Sequence, residues 1–207
     1  MKNTLKLAGA VLALALTSSA FAVPVTGTIQ ITGDVTFNTS SLLTATSATF
    51  PGSPDAVVTS GTGSYSAPGV AGSEVVFSSF TFVAPGAQVV APLWSFLNTT
   101  NGLTYTFNLS SITFITRTTP VPGTDILNIG GLGTVNITGP GSTFDETFAN
   151  WSFNVTDTSG GTNSTFIFAF NDSNTASGRV PDGGVTAALL GLSLMGLAFG
   201  RRFFARA

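Results

Sequence analysis

Side chains able to do chemistry are scarce in this chain. It has no His and no Cys. Ser-His-Asp and Cys-His arrangements are therefore excluded within it, and so in practice are the usual zinc sites. Both Lys residues, Lys2 and Lys6, sit at the extreme N-terminus. Carboxylates remain, and Asp145-Glu146 is the only adjacent pair. A glycosidase holds two carboxylates roughly 5–9.5 Å apart across the sugar. Neighbouring residues on a strand point to opposite faces, so this pair alone does not supply that geometry. The plainer reading is two solvated charges near a turn.

Calcium takes Asp and Asn oxygens. The nearest fits are Asp157-Thr158-Ser159-Gly160-Gly161-Thr162-Asn163 and Asn171-Asp172-Ser173-Asn174. Neither has EF-hand spacing, and Asp and Asn in turns mostly bond to local backbone. Sugars are recognised by aromatic rings beside polar groups, and Trp94, Trp151, Tyr65 and Tyr105 are candidates. Trp94 and Trp151 lie in apolar alternations, which favours a core role for both. Asn-x-Ser/Thr occurs at Asn38, Asn98, Asn108, Asn136, Asn150, Asn154, Asn163 and Asn171. Chance supplies many of these in so Thr- and Ser-rich a chain, although glycosylation suits an exported protein. We expect no catalytic residue, no metal site and no cofactor.

The elements that must position these groups read as one β-rich domain. From Val25 to Phe170 short apolar alternations are separated by Gly, Pro, Asn and Asp. Leu103, Tyr105, Phe107 and Leu109 alternate with Thr104, Thr106 and Asn108. Trp151, Phe153 and Val155 alternate with Ser152, Asn154 and Thr156. Such strands bury one face and wet the other, as antiparallel sheets do. Two strands change phase. The apolar set moves from odd to even positions between Leu109 and Ile112-Thr113-Phe114, and again between Phe77 and Phe80. A bulge or a strand passing between sheets produces such a slip. Phe166 to Phe170 lacks clean alternation and reads as buried on both faces. Turns are expected at Pro51-Gly52, Pro85-Gly86, Asn101-Gly102, Pro122-Gly123, Gly130-Gly131, Gly139-Pro140-Gly141 and Gly160-Gly161. Ser53 to Gly72 is the expected long loop. The pattern predicts an all-β fold: an antiparallel, jelly-roll-like β-sandwich over residues 23–179.

Composition agrees. Of 207 residues 43% are hydrophobic, 18 are Phe and only 8% are charged, which permits an ordered core and does not fit a disordered chain. Between Val23 and Val180 there are eight acids against two bases, a net charge of −6. That surface repels phosphate backbones, so nucleic acid is not an expected partner.

The two ends read as addresses. Lys2 and Lys6, the apolar run Leu7 to Leu16, and small residues through Ala20 and Ala22 form a signal peptide over residues 1–22, cleaved by signal peptidase after Ala22. At the other end, Val180-Pro181-Asp182-Gly183-Gly184 precedes an uncharged apolar run, and Arg201, Arg202 and Arg206 follow. Residues 183–200 form a short transmembrane helix, feasible with Arg snorkelling. The Arg cluster stays cytoplasmic by the positive-inside rule and leaves the domain outside. No Leu-Pro-x-Thr-Gly motif is present. The Arg-rich end does not fit a GPI signal, and the G-x-x-x-G from Gly196 to Gly200 is a weak match in so Gly-rich a segment.

This order of motif, apolar helix and Arg-rich end resembles the PEP-CTERM sorting signals of Gram-negative bacteria, in a variant with Val-Pro-Asp-Gly-Gly in place of Pro-Glu-Pro. The resemblance implies an exosortase as partner, cleavage near Val180 to Gly184, and transfer from the inner membrane to the cell surface or extracellular matrix. Pro92-Leu93-Trp94-Ser95-Phe96, Gly102 to Phe107 and Trp151-Ser152-Phe153 are similar to segments of small proteins of that kind. No biochemical activity comes with the likeness. The expectation is a non-enzymatic surface or matrix protein in an exopolysaccharide-rich envelope. A carbohydrate-binding adhesion module is the alternative and a glycoside-active enzyme the third reading.

Overall fold

The computed structural model describes residues 23–52, 56–157 and 165–174. The chain divides into two compact units, Met1–Thr175 and Ala176–Ala207, and every described residue belongs to the first. The signal segment with Ala20 and Ala22 lies outside the described residues. So do the motif Val180 to Gly184, the helix expected over 183–200, the Arg201, Arg202 and Arg206 cluster, and residues 158–164.

The described residues are mostly antiparallel strand, as the alternation predicts. In chain order they are β1 (Val23–Pro24), β2 (Gly27–Phe37), β3 (Ser47–Thr49), β4 (Ala56–Gly61), β5 (Glu74–Phe77), β6 (Phe80–Thr81), β7 (Gly86–Asn98), β8 (Leu103–Val121), β9 (Thr124–Thr138), β10 (Phe144–Asp145), β11 (Thr147–Asp157) and β12 (Thr165–Asn174). The main sheet runs β12-β11-β9-β8-β7-β5-β4-β2-β3-β6, and β12 also pairs with β2. That last pairing, from Thr165 opposite Thr36 to Asn174 opposite Gly27, closes a ring. A two-sheet sandwich leaves edges between its halves; here hydrogen bonding continues around the core, which removes them. β3 and β6 form a side wing paired to β2, and β1 and β10 form a small separate parallel bridge.

Alternation sets the inside. Trp151, Phe153 and Val155 of β11, Leu127, Ile129, Val135 and Ile137 of β9, and Tyr105, Phe107 and Leu109 of β8 are buried. Their strand neighbours carry hydroxyls and amides on the outer face. Apolar inside and polar outside is the reverse of a lipid-facing barrel. Aromatic rings dominate the interior. Trp94 of β7 lies opposite Phe107 of β8, and Phe96 lies opposite Tyr105. Those rings stack, with centroids 5.8 Å apart in the first pair and 4.7 Å in the second. A second group joins Phe50, Phe77, Phe80 and Phe82 of the wing side to Trp151 and Phe153 of β11.

The phase change in β8 is a bulge, one of the two readings of its change of parity, and it is followed by a second. Leu109 pairs with Gly133 and Ser111 with Leu132, which leaves Ser110 unpaired. Ile112 then pairs with Gly131 and Phe114 with Gly130, which leaves Thr113 unpaired. The hydroxyls of the two extra residues take up β9 carbonyls: Ser110 donates to Leu132 at 3.0 Å and Thr113 to Gly130 at 3.1 Å. The first bulge keeps Ile112 inside. The second turns Phe114 outward, away from Ile112 with which it shares its parity.

Two other expectations are corrected. Gly130-Gly131 is not a turn but the middle of β9. A Cβ on Gly130 would lie 2.3 Å from the Phe114 ring; one on Gly131 would lie 2.0 Å from the Ser111 carbonyl. These glycines admit neighbours rather than bend the chain. The expected loop from Ser53 to Gly72 contains β4 and a 3-10 turn at Gly63–Tyr65. There Gly27 and Gly63 have φ of +114° and +58°, and either Cβ would fall within 2.3 Å of the facing backbone oxygen. This close approach drops Tyr65 into the interior against Tyr105.

Candidate functional site: the outer face of β8, β9 and β11

The candidate groups read from the sequence are scattered rather than gathered. Asp145 is half-buried on β10, while Glu146 beside it is exposed. Asp157 is buried at the end of β11 and pairs in register with Asp125 of β9. Asp125 in turn accepts a hydrogen bond from Thr119 at 2.7 Å. No group of three His, Cys, Asp or Glu side chains is placed to hold a metal among the described residues. Arg117 of β8 donates from Nη2 to the Ala45 carbonyl at 2.7 Å. Its guanidinium lies 5.8 Å from the Phe82 ring centre, a cation–π distance. Its Nε is covered and has no hydrogen-bond partner among the described residues.

The four aromatic candidates for sugar contact are interior. Trp94, Tyr65, Tyr105 and Trp151 are all at most 3% exposed, so none offers a ring to solvent. For Trp94 and Trp151 this is the core role that their alternation favours, whereas Tyr65, expected in a loop, is buried as well. Burial raises the Tyr105 hydroxyl above its ordinary value of 10.0, against the opposing pull of hydrogen bonds from Asn101 and Asn98. Asn98 is itself fully buried. Its Nδ2 donates to the Pro68 carbonyl at 3.0 Å and its Oδ1 accepts from the Thr100 N–H at 2.9 Å. Asn38 is equally occupied, holding Thr46 and Ser47 in the loop after β2. These two Asn-x-Ser/Thr matches are structural amides. Asn150, by contrast, is exposed on β11.

What the outer face does bring together is a short apolar stripe in a field with few charges, the nearest along the chain being exposed Glu146, two residues before Phe148. Phe148 of β11 is 76% exposed, Leu132 of β9 46% and Phe114 of β8 42%. Phe148 lies opposite Thr134, Leu132 two residues along β9, and Phe114 opposite Gly130 two further on. The three side chains therefore step diagonally across three strands in one direction, over about 16 Å from strand and residue spacings. Asn150 flanks Leu132 in register, and Asn108 lies opposite Thr134. The side chains of Asn108, Thr134 and Asn150 make no hydrogen bond among the described residues. No charged residue occurs between Glu74 and Arg117, between Asp125 and Asp145, or between Glu146 and Asp157.

Sequence reasoning singled out neither Phe. Phe148 was legible, because Trp151, Phe153 and Val155 set the inward parity of β11 and put residue 148 on the other face. Phe114 was not, because its direction depends on a bulge that periodicity does not display. No family profile, curated protein or solved structure matches the chain.

Proposed function

We propose that this chain is an exported cell-surface or extracellular-matrix protein whose role is structural and interactive, without catalysis. Its N-terminal segment is removed by signal peptidase after Ala22. Its tail is held in the inner membrane by residues 183–200, with Arg201, Arg202 and Arg206 inside. An exosortase then cleaves at the Val180 to Gly184 motif and releases the β-domain into the envelope. The observation that carries this reading is the division of side chains in the barrel: aromatics packed inside, and hydroxyls and amides with few charges outside. Such an exterior suits a hydrated matrix, and the one carboxylate pair in register among the described residues, Asp125 and Asp157, has Asp157 buried and Asp125 bonded to Thr119.

Fractionation of cells with and without the exosortase tests the reading. The expected result is a tail-less protein at the surface or in the medium of the parent strain, and a full-length, membrane-retained protein in the exosortase-deficient strain. Full-length protein in both strains refutes it. The carbohydrate-binding adhesion reading stands second and draws on a specific observation, the exposed Phe148 and Phe114 beside free amides and hydroxyls.

A further inference from the structure

We infer that the outer face of β8, β9 and β11 is a docking surface for an uncharged polysaccharide, with Phe148 and Phe114 as ring platforms and Asn150, Asn108 and Thr134 as hydrogen-bonding partners. The inference rests on the carbohydrate-binding reading and assigns it a surface and a ligand class.

The first argument concerns Phe114. Among the described residues most aromatic rings are buried, including Phe107 on the same strand. Phe114 is turned out by an extra residue, Thr113, whose hydroxyl is spent on the Gly130 carbonyl. The ring lies against Gly130, where no side chain competes for the space. Bulges are devices that re-aim side chains, often beside functional sites. Without this one, Phe114 would point inward with Ile112. The fold leaves a large apolar group 42% exposed where its own alternation would have buried it.

The second argument is the chemistry of the neighbours. A sugar ring has an apolar face of C–H groups and a rim of hydroxyls that both donate and accept. Asn108 and Asn150 offer an amide donor and an amide acceptor each, and Thr134 offers a hydroxyl. None of the three is engaged within the described residues. A diagonal of about 16 Å across the strands accommodates a short stretch of chain rather than a single ring.

Charge selects the ligand class. The strands under the stripe carry no ionised side chain between Glu74 and Arg117, Asp125 and Asp145, or Glu146 and Asp157. An anionic polymer would bring its charges against apolar rings with no counter-charge, which desolvation penalises, and would meet a domain of net charge −6. A neutral glycan meets neither obstacle. A protein partner fits less well, because stable protein interfaces bury about 800 Å² per side around a broad desolvated centre, whereas three separated side chains form a line.

The test uses the full chain in mild detergent, run in native gels containing in turn a β-glucan, a mannan, a xylan and, as the charged comparison, alginate. Phe148→Ser, Phe114→Ser and, as a control on another exposed site, Val89→Ser are run beside the parent. Circular dichroism confirms that each variant is folded, and Phe148→Ser, at a position 76% exposed, is the variant least exposed to folding losses. The expected result is retardation of the parent by at least one neutral polymer and not by alginate. Affinity should fall about tenfold for each ring removed, equivalent to about 1.4 kcal/mol, and stay unchanged in the control. Retardation that survives loss of both rings overturns the assigned surface while leaving carbohydrate binding intact. No retardation by any neutral polymer overturns both, and leaves the sorting of the protein to the fractionation experiment. A parent dimer that becomes monomeric in Phe148→Ser, with no retardation, makes the face a self-interface and also overturns the proposal.

Discussion

The barrel has two walls of very different construction. On one side β8, β9 and β11 are registered over long ladders, with fourteen residue pairs between β8 and β9 and eleven between β9 and β11. On the other side β5 joins the ring through two pairs to β4 and two to β7. The long wall carries three register shifts, three close-approach glycines and the exposed stripe. The thin seam carries only the pleat, with Val75 and Phe77 in and Glu74 and Val76 out. A ring can close over a short strand if its inward residues fill the core, but each missing ladder bond withdraws roughly 0.5–1.5 kcal/mol of local support. The long wall is therefore the platform and the seam the place where the ring opens first.

Substitutions that empty the core on each side sharpen this contrast. Phe153→Ala removes a fully buried ring that meets Phe50 and Phe80. It should cost about 3–5 kcal/mol in denaturant unfolding. Asn98→Ala, at the connection between β7 and β8, leaves the Pro68 carbonyl and the Thr100 N–H without their side-chain partner. A loss of about 1–3 kcal/mol is expected. Val75→Ala in the seam deletes two buried methyl groups, worth about 1.6 kcal/mol at ~0.8 each. A seam substitution more damaging than Phe153→Ala would reverse the ranking of the two walls.

The smallest effect is one of pH. Tyr105 is held above its ordinary value of 10.0 by burial. The neutral phenol is thus favoured in the folded barrel, and its contribution is complete below about pH 10, the unfolded value. As pH rises past that point the unfolded chain gives up its proton more readily, so stability falls until the folded hydroxyl also ionises. Denaturation midpoints measured on either side of pH 10 should therefore decline for the parent and decline less for Tyr105→Phe.

Much of the long wall was legible in the sequence, for a physical reason. Period-two alternation in Leu103 to Leu109 and Trp151 to Val155 is a local signal, and it places Trp94 and Trp151 in the core and hydroxyls outside. The first bulge showed as a change of parity at Ser110-Ser111. The second did not, because it restores the parity the first removed and leaves Phe114 looking like a core residue. Gly130-Gly131 reads as a turn because a sequence does not reveal that a ring and a carbonyl from other strands need the space of two side chains. The region from Ser53 to Gly72 reads as a loop because Thr, Ser and Gly occupy its outward positions, although Ala56 and Val58 alternate inward and Tyr65 is buried. Closure of the ring depends on β2 meeting β12, which lie at opposite ends of the domain. No local pattern encodes that meeting. The stripe was half legible: Phe148 follows from parity, and Phe114 needs the bulge.

Amide hydrogen exchange on the full chain, followed by mass spectrometry of peptides, tests the contrast most directly. The account predicts slowest exchange in the peptides spanning Ile129 to Val135 of β9 and Ala149 to Val155 of β11, and markedly faster exchange in Glu74 to Phe77 of β5. Exchange in β5 as slow as in β9 would contradict it.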